Sequence, residues 1–156
     1  MADAFSKIYI HIVFAVRSRE RLLQKPWRDN VFKYMTGIVE GKGQKPIIIN
    51  GVVDHVHLLI DLKPSISVSE LVRDVKNNSS KFVNENKWTP GKFQWQEGYG
   101  AFSISPSLLT KTYNYILTQE EHHHHTKFQD EYISWMKENG IEANPNYLFD
   151  WNEDNV

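Results

Sequence analysis

One short apolar segment constrains the fold of this chain more than any other: the run from Val53 to Ile60, which contains two histidines. The run is β-branched at its start and is followed by Lys63-Pro64-Ser65, which predicts a strand rather than a helix. Successive side chains of a strand point to opposite faces, so His55 and His57 share one face. The opposite face, which would pack into a core, carries Val56, Leu58 and Ile60.

Two imidazoles on one face of a strand can bind a single cation together. The alternative is that both histidines are structural and hydrogen-bond to neighbours at the wet face of a sheet. This segment alone leaves both interpretations open.

The composition is that of one folded domain. Hydrophobic residues make up 40% of the 156 residues, which allows a substantial core. No apolar run approaches the roughly 20 residues that a membrane-spanning helix needs, and the N-terminal segment lacks the features of a signal peptide. The absence of cysteine excludes disulfides, zinc–thiolate sites and cysteine catalysis. We expect a cytoplasmic protein with a single domain over residues 1–156, a core at about 7–140 and an acidic tail at 141–156.

Charge is divided unevenly along the chain, although the net charge is only −1. Residues 1–95 contain 15 Lys and Arg against 9 Asp and Glu, whereas residues 96–156 contain 3 against 10. This division indicates a basic surface together with an acidic tail region. Ordinary solvated faces with no common partner are the alternative.

The first part of the chain predicts a strand, a helix and a hairpin. The β-branched and aromatic run from Lys7 to Val16 predicts a central strand. Apolar residues at helical spacing after Pro26 predict a helix that ends at Gly41 to Gly43. A strand from Lys45 to Val53 leads directly into the histidine-bearing strand, so the two are expected to pair antiparallel with Gly51 in the turn.

The remainder predicts helices separated by short strand-like pieces. Ser67 and Glu70 have the spacing of a capping box and open a helix that runs to about Asn84. Residues 93–95 and 99–104 resemble short strands, and residues 105–125 and 126–140 predict two further helices. The order β-α-β-β-α-β-α-α predicts an α+β fold. We expect a ferredoxin-like (RRM-like) antiparallel sheet covered by helices, with an added C-terminal helix that carries a tyrosine.

The helix predicted at 105–125 places candidate site residues on one face. Tyr115 and Gln119 are spaced i, i+4 and lie one turn apart on the same side. Tyr113 competes with Tyr115, but at about 100° per residue it points roughly 160° away from Gln119. At most two side chains of the run His122 to His125 can share this face, and the others are expected in solvent at the helix end. A tyrosine here can serve as a nucleophile beside a cation, although helical tyrosines more often pack in a core.

Four ordered blocks together resemble those of a known family. The blocks are His55-Val56-His57, Phe93-x-Trp95-Gln96-x-Gly98-Tyr99-Gly100-Ala101-Phe102-Ser103, Tyr115-x-x-x-Gln119-x-x-His122-His123 and Phe128-x-x-Glu131-Tyr132. They are similar to those of the single-tyrosine HUH transposases of the insertion-sequence-200-like group, which includes the REP-associated tyrosine transposases. A lone His-x-His is nonspecific, whereas the four blocks cover roughly residues 7–140.

The resemblance implies an enzyme that cuts single-stranded DNA at the ends of a mobile element and rejoins it. It implies that His55, His57 and Gln119 bind a divalent metal, Mg²⁺ or Mn²⁺, which polarises the scissile phosphate. It further implies that the Tyr115 hydroxyl attacks this phosphate, forming a 5′-phosphotyrosine link and freeing a 3′-hydroxyl. Members of the family are homodimers that recognise DNA hairpins, and their tyrosine helix can complete the partner's site.

The physical chemistry agrees with this scheme. Free tyrosine has a pKa of about 10 and is a poor nucleophile at neutral pH. A nearby cation both stabilises the phenolate and withdraws charge from the phosphate. A covalent link conserves the phosphodiester energy, so no nucleotide cofactor is expected, and the sequence contains no Gly-x-x-x-x-Gly-Lys-[Ser/Thr] motif.

Contacts to DNA are expected from basic and aromatic side chains. Trp95, Tyr99 and Phe102 are candidates for stacking on unpaired bases, although Trp95 and Phe102 are also good core residues. The candidates for phosphate contacts are Arg17, Arg19, Arg21, Lys42, Lys45, Lys76 and Lys81.

Two other functions compete with this interpretation. A histidine-triad nucleotide hydrolase would require a histidine at position 59, where this chain has Leu59. A non-catalytic hairpin-DNA-binding protein derived from such a transposase would keep the fold alone, and the intact set of ligands and tyrosine argues against it.

Overall fold

The computed structural model describes residues 5–123 and 128–142. Its strands are β1 (Tyr9–Ala15), β2 (Lys45–Gly51), β3 (His55–Asp61) and β4 (Gly100–Ile104). Its α-helices are α1 (Lys25–Gly41), α2 (Val68–Glu85), α3 (Leu109–Leu117), α4 (Gln119–His123) and α5 (Phe128–Glu138). The predicted helix start at Thr126, the residues His124 and His125, and the acidic tail from residue 143 onward lie outside the described residues.

The strands form one antiparallel sheet in the order β2-β3-β1-β4. The predicted α+β class, an antiparallel sheet covered by helices, is confirmed, and β1 is an internal strand as expected. The ferredoxin-like assignment rests on this strand order and on the β-α-β-β-α-β succession, and stays a prediction. Among the described residues, no helix combines the length and apolarity required to cross a membrane.

Local signals explain where the two long helices begin and end. The Ser67 hydroxyl accepts a hydrogen bond of 3.1 Å from the Glu70 backbone N–H, which satisfies one of the free donors at the start of α2. Pro26 lies in the first turn of α1, where no backbone donor is needed. Gly43, two residues beyond α1, has φ of +76°, a conformation that glycine adopts at little cost.

The sheet separates two apolar clusters. On one face, Ile12 and Phe14 of β1 pack with the predicted core residues of β3 against α1 and α2. On the other face, Val13 and Ala15 pack against α5 through Phe128, Tyr132 and Met136. Because successive side chains of β3 point to alternate faces, its two histidines lie on this second face, opposite the larger core.

The helix predicted over residues 105–125 is interrupted, which corrects that prediction. A 3-10 turn at Pro106–Leu108 precedes α3, and Thr118, with φ −101° and ψ 27°, separates α3 from α4. The Asn50 side-chain amide of β2 donates hydrogen bonds of 3.0 and 3.2 Å to the carbonyls of Ile116 and Leu117. These carbonyls are therefore satisfied by the sheet rather than by a continuing helix.

Gly51 is the last residue of β2 rather than a turn residue, which corrects a second expectation. It pairs with Val56, and a Cβ at this position would lie 2.3 Å from the His55 carbonyl oxygen. The absence of a side chain at Gly51 therefore allows the two strands to approach closely just before the first histidine.

Candidate metal and tyrosine site

The three predicted ligands come together in the structure. β3 presents His55 and His57 with ring centroids 5.1 Å apart, and Gln119 is the first residue of α4. Their side chains are buried, with exposed fractions of 1%, 0% and 2%. Buried polar groups require partners, so the contacts of each ligand indicate what it can bind.

His55 lies between a carboxylate and an amide. Its Nδ1 is 2.7 Å from Asp54 Oδ1, and its Nε2 is 3.4 Å from Gln119 Oε1. A proton on Nδ1 satisfies the carboxylate, and Nε2 and Oε1 then present lone pairs to each other. Metal–ligand distances of about 2.1 Å place two ligands of one ion about 3.0–3.5 Å apart, which fits this separation.

His57 contacts a histidine that the sequence analysis did not single out. His11 of β1 is a diagonal neighbour in the sheet, and its Nε2 lies 2.9 Å from His57 Nδ1. Burial lowers the pKa of His11 to about 4, so His11 is neutral and its Nε2 can accept a proton donated by His57 Nδ1. In that tautomer the His57 Nε2 carries the lone pair that a metal requires.

The His57 Nε2 atom is buried without a partner at hydrogen-bonding distance. Burial and the neighbouring histidines hold the pKa of His57 well below its usual value, and the nearby Gln119 amide opposes this shift. A neutral imidazole with an unsatisfied buried nitrogen costs free energy unless something binds it. Within residues 5–123 and 128–142, no group of three or more His, Cys, Asp or Glu side chains is arranged so that it could hold a metal ion by itself. The set of two imidazoles and one amide oxygen nevertheless fits a divalent cation with positions left open.

Tyr115 lies beside these ligands in the same chain. Its ring centroid is 5.8 Å from that of His57, in an edge-to-face arrangement. Its hydroxyl donates a hydrogen bond to Glu131 of α5. Burial, and then this contact with Glu131, hold the pKa of the Tyr115 phenol above its ordinary value. Tyr113 is 36% exposed, in agreement with the helical geometry that places it on a different side of α3.

α5 forms the outer wall of the site. Phe128 stacks on His55 with centroids 3.8 Å apart, and Trp135 lies 5.6 Å from His57. Tyr115 is less enclosed than the ligands, because it lines an open cavity of about 260 Å³ that Trp135 and Lys111 also border. In this arrangement α5 lies between solvent and the two histidines on this face of the sheet.

Sequence reasoning did not assign a role to three residues of the site. His11 is hidden in an apolar run, Asp54 directly precedes the first histidine, and Glu131 belongs to a matched block without an assigned role. The position of Asp54 next to His55 is a local signal. The contact of His11 with His57 and that of Glu131 with Tyr115 span 46 and 16 residues of sequence.

Of the predicted phosphate contacts, Arg19 is buried, which corrects that prediction, and Lys76 is half-buried. Arg19 is 2% exposed, and its Nη2 lies 3.0 Å from Asp54 Oδ2. Lys76 is half-buried, and its Nζ donates to the carbonyls of Gln96 and Gly98 at 2.7 and 2.6 Å. Burial lowers the pKa of Lys76 to about 8. Arg19 is therefore used inside the fold and is not available to phosphates in this structure, whereas the partly exposed Lys76 already donates to two carbonyls.

The other basic candidates remain at the surface. Lys42 is paired there with Asp74 at 2.8 Å, and Arg17 donates to the Gln94 side chain. Of the aromatic candidates, Trp95 and Phe102 are core residues, whereas Tyr99 is 36% exposed. The exposed basic candidates are Arg17, Arg21, Lys42, Lys45 and Lys81.

Comparison with known proteins gives a consistent result at the level of sequence. Residues 4–119 match the family model described as transposase IS200 like. The ISDra2 transposase TnpA of Deinococcus radiodurans is 25% identical over 118 residues, 71% of this chain and 83% of that protein. The transposase for insertion sequence element IS200 of Salmonella typhimurium is 27% identical over 117 residues, 71% of this chain and 76% of that protein.

Solved structures share the fold. A putative transposase from Deinococcus radiodurans superposes with a TM-score of 0.58 at 20% identity, covering 76% of this chain and 95% of that one. A REP-associated tyrosine transposase bound to a REP hairpin superposes with a TM-score of 0.60 at 13% identity, covering 100% of this chain and 92% of that one. Since the family model spans most of the chain, from the start of the sheet to the candidate ligand Gln119, this protein belongs to the IS200-like transposase family.

Proposed function

We propose that this chain cleaves single-stranded DNA and rejoins it through a covalent link between Tyr115 and a 5′-phosphate. The observation that supports the proposal most is the position of Tyr115 in the same chain as the two histidines, 5.8 Å from His57 between ring centroids. A nucleophile beside a cation-binding set is an arrangement that suits phosphoryl transfer. Membership of the transposase family supports DNA as the substrate.

In the proposed reaction the Tyr115 oxygen attacks phosphorus, and the bond from phosphorus to the 3′-oxygen breaks. The freed 3′-oxygen takes up a proton, and attack by a 3′-hydroxyl reverses the step during rejoining. The phenolic proton must leave Tyr115 as the new bond forms, because its environment disfavours a free phenolate. Glu131 already accepts a hydrogen bond from that hydroxyl. His55, His57 and Gln119 would hold Mg²⁺ or Mn²⁺, which when bound stabilises charge on the phosphate.

The proposed substrate carries hairpins at the ends of a mobile element. Support comes from the relative that binds a REP hairpin and from the exposed basic residues named above, which can contact phosphates. Tyr99 is exposed and can stack on an unpaired base. We also propose that the chain acts as a homodimer, since two element ends must be processed together.

Access is a requirement that this proposal must meet. The ligands are at most 2% exposed, so a phosphate can reach them only after α5 has moved away from His55 and His57. α5 begins at residue 128, beyond the matched residues 4–119. Its displacement would leave the sheet and its larger core unchanged.

The test is adduct formation on single-stranded DNA. Wild-type protein, an oligonucleotide carrying a hairpin from the flanking genomic DNA, and Mn²⁺ or Mg²⁺ are expected to give a covalent product on a denaturing gel. Tyr115→Phe is expected to abolish the product, whereas Tyr113→Phe on the same helix should leave it. His57→Ala should lower product formation by at least about 100-fold while hairpin binding persists. An adduct that survives Tyr115→Phe would contradict the proposal.

A non-catalytic hairpin-binding protein is the second candidate. The observation that favours it is the enclosure of the ligands beneath Phe128, Glu131 and Trp135. Such a protein would bind the hairpin tightly and form no adduct with either Mn²⁺ or Mg²⁺. Its hairpin binding would not change in His57→Ala. The same gel, run beside a binding titration, separates the two candidates.

A further inference from the structure

A buried chain of contacts leads from the basic loop, residues 17–21, to the first histidine of β3. Arg19 Nη2 lies 3.0 Å from Asp54 Oδ2, and Asp54 Oδ1 lies 2.7 Å from His55 Nδ1. The exposed fractions of Arg19, Asp54 and His55 are 2%, 3% and 1%. Charges that are this deeply buried need close partners, because each loses several kcal/mol of hydration. The contacts satisfy the two oxygens of Asp54 from opposite sides.

The backbone around Arg19 adopts an unfavourable conformation to place its side chain inside. Ser18 and Arg19 have φ of +55° and +52°, in the left-handed region that non-glycine residues seldom adopt. The loop is fixed to the β2–β3 connection on both sides, since Val16 N–H donates to Asp54 O at 2.8 Å and Leu23 N–H to Val53 O at 2.9 Å. Such strain persists where the surrounding structure determines the conformation, often at functional sites.

The chemistry of the Asp54 carboxylate decides the state of His55. A carboxylate can only accept hydrogen bonds, so the proton of the imidazole lies on Nδ1. Nε2 then carries a lone pair and faces Gln119 Oε1 at 3.4 Å. Arg19 donates to the other oxygen and thereby fixes the carboxylate in the plane where it meets His55.

We propose that Arg19 and Asp54 are a positioning pair that holds His55 in the tautomer whose Nε2 can bind a metal. This inference rests on the metal site of the proposed function. It assigns to Arg19 a role that excludes phosphate contact, although the residue lies between the exposed Arg17 and Arg21. Asp54 and Arg19 would act on the metal only through His55.

The first test needs no substitution in the positioning pair. Nitrogen NMR of metal-free wild-type protein labelled at histidine distinguishes the two tautomers, and His55→Asn identifies the signals of His55. The expected result is a protonated Nδ1 and an unprotonated Nε2. A proton on the Nε2 of His55 overturns the inference whatever the protein does to DNA.

The second test replaces one oxygen of Asp54 by an amide. In Asp54→Asn, Arg19 retains the oxygen as its acceptor, so the NH₂ group faces His55 Nδ1 and drives the proton to Nε2. We expect calorimetry to show Mn²⁺ binding weakened by about 10–100-fold, with the tautomer reversed in the NMR spectrum. Adding Arg19→Gln to Asp54→Asn frees the amide to turn, and part of the lost affinity should return.

Matched controls lie on the same elements. Asp61→Asn removes an equal charge from the far end of β3, where Asp61 pairs with Lys7, and Arg21→Gln removes a cation from the same basic loop. Both should bind Mn²⁺ as wild type does. Wild-type affinity in Asp54→Asn, with loss in His57→Ala, overturns this inference and leaves the proposed function intact. Failure of wild type itself to bind Mn²⁺ overturns both.

Discussion

His11 occupies a position of β1 whose sequence neighbours are aliphatic, and its Nε2 lies 2.9 Å from His57 Nδ1, where it can accept a proton and leave His57 Nε2 with a lone pair. Replacing it by leucine suits the hydrophobicity of the strand but removes the acceptor for His57 Nδ1–H. We expect His11→Leu to cost about 1–3 kcal/mol of unfolding free energy and to weaken Mn²⁺ binding by about 10–100-fold. Urea unfolding and calorimetry measure the two effects.

His11→Gln is the matched comparison, because its amide oxygen can still accept from His57. It should retain more of the Mn²⁺ affinity than His11→Leu does. Equal affinity in wild type and His11→Leu would show that His57 keeps its metal-binding tautomer without this neighbour.

Lys76 gives the stability of the protein a predictable dependence on pH. Burial lowers its pKa in the folded state to about 8, against an ordinary value of 10.5. Below pH 8 Lys76 is protonated in both the folded and the unfolded chain, and the folded state bears the full cost of a partly buried charge. Between pH 8 and 10.5 the unfolded chain binds more protons, so this residue makes stability rise with pH.

We expect the unfolding free energy of wild type, relative to Lys76→Met, to increase by about 1–2 kcal/mol between pH 7 and 9.5. Denaturant unfolding at both pH values measures this difference, and the constant loss of the contacts to Gln96 and Gly98 cancels in it. Lys81→Met changes an exposed site of the same helix, and its unfolding free energy should change with pH as that of wild type does. A wild-type stability that falls relative to Lys76→Met over this range would contradict the assignment.

Arg19 and Lys76, together with the pair Tyr115 and Gln119, show which features of single residues can be predicted from the sequence and which cannot. The spacing of Tyr115 and Gln119 predicted that both lie on one side, and the two are close in the structure although Thr118 breaks the helix between them, since the Gln119 amide donates to the Tyr115 carbonyl at 3.2 Å. The burial of Arg19 was missed, because its partner Asp54 lies 35 residues away and nothing in the basic loop differs from a surface loop. The half-buried position of Lys76, a predicted phosphate contact, was missed for the same reason, since its two carbonyl partners lie 20 and 22 residues along the chain.

At the scale of elements, periodicity predicted the strands and the long helices, and capping chemistry predicted the start of α2. The break at Thr118 was not predictable, because no glycine or proline marks it. It coincides with Asn50, whose amide binds the last carbonyls of α3 from the edge strand β2. The nucleophile candidate and the amide ligand therefore lie on two helices joined by one residue.

The fit of α5 against β4 depends on Gly100. A Cβ at this position would lie 2.6 Å from the Tyr132 hydroxyl and 2.9 Å from its Cε2. Gly100→Ala should therefore displace Tyr132, with a cost of about 1–3 kcal/mol in unfolding free energy. Hydrogen exchange should show faster exchange of the α5 amides than in wild type.

Gly37→Ala serves as the control for that substitution. Gly37 lies inside α1 with nothing within 4 Å of an added Cβ, so alanine should stabilise the helix by about 0.5–1 kcal/mol. If Gly100→Ala left the exchange of α5 unchanged, the contact between β4 and Tyr132 would not hold this helix in place.

At the scale of the whole molecule, the candidate ligands and Tyr115 lie close together within one chain. This arrangement predicts that Tyr115→Phe and His57→Ala protein, mixed in equal amounts, will not restore the covalent product, since each chain lacks one component of its own site. A gel with the separate and mixed variants makes the comparison. Recovery of a quarter or more of the wild-type product would instead indicate that α3 serves a neighbouring subunit.

The presence of one candidate nucleophile in each chain also sets the number of chains that the proposed reaction requires. In the proposed reaction a chain uses its one nucleophilic tyrosine, Tyr115, for one cut and stays attached to that strand until a 3′-hydroxyl releases it. Excising a segment requires two cuts, so a lone polypeptide would remain trapped on the first. In the proposed homodimer each copy would bring one nucleophile to one end, so the second cut could be made within the lifetime of the first attachment.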